Sequence, residues 1–405
     1  MATAERTSGL VERLGGAALA LALVLIPAGL RAQADTTSEW FAPPPAESPS
    51  RGAPMAPEDV GRDSEVVNPD RGTTFAVAPI PNYNAQFGFG VALVGMAFRK
   101  LDDHPETPPS TGMLLGYASD NGTWGTMLAG IAHFDGDAWR AAGGLGYFKL
   151  FYDFFGFGTD AGTSGESIEI KQPVSFLFGQ GLRRVSGDLY GGVRAQYVHS
   201  EFSINSNTIP PELAPFAGLT GTVNSLGLAP VVQFDSRDNT YYPVRGWNSS
   251  LATTMSFDGF ASDSTFQRTY GYVDFYHGWA EGRQVLALGV DGCYVSGDVP
   301  ISNYCSIGEL KGIRGYQVGR YQDRFQASLQ AEYRRKIAGR FGFVVFGGIA
   351  GISPTPAQFD GGDLRAAGGA GLRFQLTKKY PLNYRVDAAF GSDGGLFYVA
   401  VAEAF

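Results

Sequence analysis

Beyond residue 34 the 405-residue chain has no stretch approaching the roughly 18 consecutive apolar residues of a membrane helix. A helical bundle in the bilayer is excluded, so any later crossing must use strands. Histidine is scarce: His104, His133, His199 and His277 are the only four, and no two stand at zinc-ligand spacing. Cysteine is scarcer, with Cys293 and Cys305 alone. In an oxidising compartment these two could pair; two isolated thiols is the other reading, because sequence does not place their Cα atoms within bridging reach. Concentrated positive charge is also missing. A formal net charge of -8 without a basic stripe argues against a nucleic-acid partner. Catalytic motifs fail in turn: GFGVALVG near Gly88 sits in a strand pattern with no helix after it, and GTSGE at Gly162 lacks the last glycine of a nucleophile elbow. His199 and Ser200, as strand neighbours, point to opposite faces, which leaves an outer-membrane lipid hydrolase a distant outsider. No enzyme, metal or cofactor is expected.

What the sequence has in abundance is glycine and phenylalanine, 56 and 29 residues, with 44% hydrophobic and 17% charged content. Such a balance points to a strand-rich membrane protein rather than an ordinary soluble enzyme. At the start, Arg6 and Arg13 precede LGGAALALALVLIPAGL and then AQA. This reads as a secretory signal over residues 1–34, cleaved after Ala34, with an uncleaved anchor as the alternative. Residues 35–72 are proline-rich and acidic without apolar periodicity, a flexible periplasmic linker too short to hold a folded domain.

From residue 73 to 405 the pattern alternates. In RFQASLQAEYR, Phe325, Ala327, Leu329, Ala331 and Tyr333 share one face, while Gln326, Ser328, Gln330, Glu332 and Arg334 share the other. GLRFQL and YRVDAAF split the same way, with Arg373, Arg385 and Asp387 on the polar side. A soluble sandwich also alternates. Segments of about 10 residues and aromatic clusters near their ends, as in GYFKLFYDFFGFG and TYGYVDFYHGW, favour a membrane barrel instead. The expectation is an all-β transmembrane antiparallel barrel of 16 strands, starting near Thr73, Ala85, Gly112, Thr123, Ala138, Ile168, Asp188, Thr222, Gly246, Thr265, Arg283, Arg324, Arg340, Asp363, Leu382 and Leu396. Hydrocarbon lies outside it, water and charge within.

Between the eleventh and twelfth strands runs KGIRGYQVGRYQDR, from Lys311. GIRGY resembles the loop-tip motif of the Omp85 superfamily, the barrels that include the BamA and TamA assembly factors and two-partner secretion translocators. FDSRDNTYYPVRGW resembles that superfamily's signature at Asp235, Arg237, Asp238, Pro243 and Gly246, and FYVAVAEAF, ending at Phe405, resembles its terminal strand. The likeness is to the short bacterial surface antigens without POTRA repeats.

The resemblance implies that the long loop folds into the lumen and that Arg314 meets carboxylates there. Strand parity places Glu332 inside, and a buried arginine needs such a partner. Gly312 and Gly315 permit sharp turns or positive φ, and Tyr316 is expected beside the guanidinium. The strand after Glu332, where many relatives place an aspartate, offers only glycine and apolar residues around Gly347 and Gly348, so the second half of the charge cluster that the resemblance implies is expected to be absent. Asp235 and Arg237 read either as a lumen ion pair or as part of a turn with Asp238.

A weak seam is expected between the first strand, with Pro79 and Pro81, and the last, with Gly394 and Gly395; end fraying is the plainer alternative. The implied role is insertion or translocation of protein or lipid at the outer membrane, with the bilayer and a periplasmic or outer-membrane protein as partners. A passive pore or structural surface antigen of the same fold is the competing reading.

Overall fold

The computed structural model describes residues 72–84, 86–104, 107–309, 311–361, 363–376 and 381–405. The signal sequence expected over 1–34 and, save Gly72, the linker over 35–72 lie outside the described residues.

Sixteen strands form one antiparallel sheet, each paired with its neighbour in the wall. They are β1 (Thr74–Asn84), β2 (Gly88–Arg99), β3 (Ser110–Ser119), β4 (Trp124–Phe134), β5 (Trp139–Phe154), β6 (Ile168–Ser186), β7 (Leu189–Ile204), β8 (Gly221–Asp235), β9 (Arg245–Ser256), β10 (Phe266–Trp279) and β11 (Gln284–Gly297). After a long connection come β14 (Phe325–Ala338), β15 (Phe341–Ser353), β16 (Arg365–Gln375), β17 (Asn383–Gly391) and β18 (Gly394–Val401). Inside that connection β12 (Cys305–Ser306) and β13 (Gln322–Asp323) make a small separate ladder.

The starts fall close to those read from sequence. The largest shift is at Gly88, expected near Ala85, because the turn after β1 closes only at this glycine, with φ of 70°. No described helix is long and apolar enough to cross a membrane.

Alternation builds the outer surface. Leu128, Leu177, Leu288, Val290, Leu329 and Leu372 are exposed on one face of their strands, as lipid-facing residues of a barrel must be. The expected length of about 10 residues is exceeded by β5, β6 and β7, at 16, 19 and 16 residues. Their outward rows explain it: Leu145 and Tyr147 give way to Lys149 and Asp153, Leu177 to Lys171 and Glu169, and Tyr197 to Glu201. Those stretches suit water, so the strands run on beyond the hydrocarbon at the long-connection end.

The lumen corrects the expectation of water and charge within. Inward residues of β2 to β6 are mostly apolar: Val94, Phe98, Met113, Leu115, Ile131, Phe148, Leu150, Phe176 and Phe178 are all buried. They pack in one cluster with Val299, Cys305 and Val318 of the long connection, so the loop supplies the surface that buries them. Charge is concentrated on the other half, on β10, β11, β14, β16 and β17, with Arg140 of β5 and Arg194 of β7 buried outside it.

β1 pairs only with β2, and β18 only with β17. The two strands lie side by side, yet among the described residues no ladder joins them.

Candidate functional site

The connection 298–324 turns back into the barrel. At its base Cys293 of β11 is disulfide-bonded to Cys305, with Cα atoms 5.7 Å apart. Near its tip Gly315 has φ of 116°, and an added Cβ would stand 2.9 Å from the Ala367 Cβ, so only glycine fits. Gly312 does not take positive φ; its need is space, because a Cβ there would meet the Glu309 carbonyl oxygen at 2.9 Å.

These turns deliver Arg314 to the charged wall. Its Nη2 lies 2.5 Å from Glu332 Oε2, its Nη1 2.7 Å from Asp387 Oδ2, and its Nε donates to Gln330 Oε1 at 3.1 Å. All four side chains are buried. Charge-assisted pairs at these distances are the strong kind, and each partner also needs the others to offset its lost hydration.

The network continues. Arg334 Nε donates to Glu332 Oε1 at 2.7 Å, Arg373 Nη1 lies 2.5 Å from Asp387 Oδ1, and Arg385 Nη1 lies 3.1 Å from Asp387 Oδ2. Arg373 Nε also reaches Glu403 Oε2 at 2.7 Å. Four guanidiniums thus share three carboxylates.

Two expectations are corrected here. The second carboxylate is supplied after all, by Asp387 on β17, three strands from Glu332. β15 between them contributes space and a ring instead. A Cβ on Gly348 would fall 2.6 Å from Ile313 Cγ2, and Phe346 lies flat beneath Arg314, 3.4 Å from ring centroid to Cζ. Phe346 therefore takes the place expected for Tyr316. Tyr316 turns away, making an edge contact with Tyr321 and donating its hydroxyl to the Ala366 carbonyl at 2.8 Å. Asp387 was legible on the polar face of its strand; Phe346, in an apolar run, carried no signal.

Other contacts tie the loop down. Lys311 pairs with Asp274 of β10 and lies over Tyr272, and Arg268 meets Glu309 at 2.8 Å. Tyr321 donates to Asp393 in the turn between β17 and β18. Most telling, the Gly315 N–H donates to the Tyr398 hydroxyl of β18 at 2.8 Å.

A second charged cluster lies at the short-turn end. Arg237 holds Asp235 through Nε and Nη2 at 2.8 and 3.0 Å, and Arg140 Nη1 reaches the same carboxylate at 3.3 Å. Asp238 accepts from the N–H groups of Val244 and Arg245, closing the connection over Pro243, and Gly246 follows with φ of 107°. Ion pair and turn are therefore both present.

Sequence reading missed its other members. Asp137, in the turn between β4 and β5, accepts from Arg140, from Tyr190 and, at 2.6 Å, faces His133 Nδ1. Burial alone would raise the Asp137 carboxyl, but the His133 hydrogen bond and the Arg140 charge outweigh it and hold it well below the usual carboxylate range.

At the seam Pro79 and Pro81 stand in β1, opposite Leu93 and Val91, and offer no N–H to any ladder. Gly394 and Gly395 open β18. Phe405 is not in the last strand, as its resemblance to a terminal-strand ending implied. β18 stops at Val401, Ala402 takes φ of 74°, and the following residues turn inward. Phe405 is buried against Tyr276 and Ala287, its carbonyl accepts from Arg334 Nη2, and Glu403 binds Arg373 and Asn383. Among the described residues no group of three His, Cys, Asp or Glu side chains could hold a metal.

An antiparallel membrane barrel whose longest connection re-enters the lumen and is ion-paired to its own wall defines a class of outer-membrane protein. The profile of the Omp85 superfamily domain matches residues 132–398, and the chain belongs to that superfamily. No curated protein sequence matches it. Among solved structures it is similar to BamA from Haemophilus ducreyi lacking POTRA domains 1–3, at 14% identity and a TM-score of 0.54, over 82% of this chain and 70% of that one. It is also similar to CdiB from Escherichia coli (10%, TM-score 0.54, 87% and 68%) and from Acinetobacter baumannii (10%, TM-score 0.52, 81% and 59%). At these identities the likeness is one of fold.

Proposed function

We propose that this barrel assists insertion or translocation of protein, or of lipid, at the outer membrane by a mechanical rather than catalytic route, the in-folded loop acting as a latch on a weak seam. The observation that carries this reading is the Gly315 bond to Tyr398: the loop that grips β14 and β17 through Arg314 also grips β18, the strand without a ladder to β1. Releasing the loop therefore frees one side of the seam. An unpaired edge is a template for an incoming strand. The working partner is then a polypeptide or lipid arriving from the periplasm.

The test uses vesicles containing the barrel and an unfolded eight-strand barrel polypeptide diluted from urea. A disulfide tying β1 to β18, built after Cys293 and Cys305 are replaced by serine, should abolish the stimulated insertion and reduction should restore it. Insertion unaffected by the tether would overturn the proposal and leave a static barrel. A passive pore is disfavoured by the loop filling the lumen: Arg314→Ala should raise single-channel conductance in planar bilayers, and unchanged conductance would count against the latch.

A further inference from the structure

The outer surface at the short-turn end carries a band of rings that the reading above does not use. Trp247 and Phe275 lie 4.5 Å apart, His277 links Phe275 to Trp279, and Trp279, Tyr333 and Phe343 follow at 6.1 and 6.4 Å. Gln284 fastens the middle, accepting from the Trp279 indole N–H at 3.0 Å and from the Tyr333 hydroxyl at 2.7 Å. Aromatic side chains so placed mark the boundary between hydrocarbon and headgroups.

Immediately past the rings stands Arg335. It shares the outward parity of Leu329 and Tyr333 and lies opposite Gln284 on β11 and Phe343 on β15. Two turns bring further cations beside it. The Arg283 carbonyl accepts from the Lys336 N–H, and the Arg340 carbonyl from the Gln375 N–H, so both exposed arginines flank the end of β14. Among the described residues none of the side chains of Arg283, Arg335 and Arg340 is ion-paired, not even with Glu281 in the Arg283 turn, so the sector keeps an excess of positive charge.

We infer that this sector is a binding site for an anionic phospholipid of the inner leaflet, its phosphate held by Arg283, Arg335 and Arg340 and its acyl chains against the Trp279, Tyr333 and Phe343 rings. Short turns face the periplasm in barrels of this type, so the leaflet at this height is the phospholipid one. The position of Arg335 favours lipid over an acidic protein: its row is continuous with residues that face acyl chains, and a soluble partner would have to enter below the ring band. Cations at a membrane surface attract acidic headgroups additively.

The experiment uses the full barrel in phosphatidylcholine vesicles, with Trp279 kept as the single tryptophan and the other four replaced by phenylalanine. Chain-brominated phosphatidylglycerol or brominated phosphatidylcholine is added at equal small mole fraction. Three clustered cations should enrich the acidic lipid at Trp279 on the order of tenfold or more, read as stronger quenching. Arg283→Gln, Arg335→Gln and Arg340→Gln together should make the two lipids equal; if that variant does not fold, high salt on the parent should do the same. Equal quenching in the parent overturns the proposal. So does a preference that survives both the triple change and salt, or an acidic protein lost from the triple variant with no headgroup preference in the parent.

Discussion

The inner walls of β2 to β6 and of β14 to β17 are built by opposite means. The first is a sheet of rings and aliphatic chains around Phe148, Phe176 and Phe178, satisfied by any apolar surface of the right volume. The second is a set of guanidiniums and carboxylates around Arg314 that requires particular atoms at particular distances. Both bury the same loop. The apolar half therefore acts as a backing wall, and the charged half decides where the loop tip sits.

The largest effect expected is from Glu332→Ala, which strips Arg314 and Arg334 of a buried partner and should cost about 3–5 kcal/mol. The loss should appear both as a lower melting temperature in detergent and as protease cleavage within 298–324. Phe148→Ala should cost a similar amount, about 3–5 kcal/mol, by leaving a cavity. Its signature differs: the melting temperature falls while the loop stays protected. Equal loop exposure in the two variants would erase the distinction between the apolar and the charged wall.

Cys293→Ser should follow, at about 3 kcal/mol, since it frees a short loop closed over 12 residues of sequence separation. The Arg314 contacts should persist without it, so conductance should stay low.

An acid titration comes next. Asp137 is held below its unfolded value, so its contribution is complete above about pH 4 and is lost as pH falls through the lower folded value. Asp137→Asn should flatten the acid limb of the melting curve without exposing the loop 298–324 to protease. The smallest change expected is Lys149→Ala, on the water-facing extension of β5, at within about 0.5 kcal/mol.

Strand number, order and most boundaries were legible because period-two alternation and turn residues are local signals. In β14 the same alternation also put Glu332 in the lumen. The charged half of the lumen was therefore readable in advance. The apolar half was not: β2, GFGVALVGMAFR, is hydrophobic on both faces, and alternation cannot say what covers the inner one. Asp387 was seen on a polar face, but pairing it with Arg314 needed the curvature of the wall, which sequence does not encode locally. Asp137 and His133 belong to a cluster whose other members come from β5, β7, β8 and the turn after β8. Phe405 was misplaced because an ending that looks like a strand was assumed to continue as one, and the positive φ at Ala402 leaves no mark in a residue type that seldom adopts it.

The inward bend at Ala402 has a geometric consequence for zipping the two end strands together. β18 offers 8 residues, about 27 Å of edge, while β1 offers 11, about 37 Å. With these strand lengths, pairing all 8 residues of β18 would leave three residues of β1 without a neighbour, a notch in the wall at the junction.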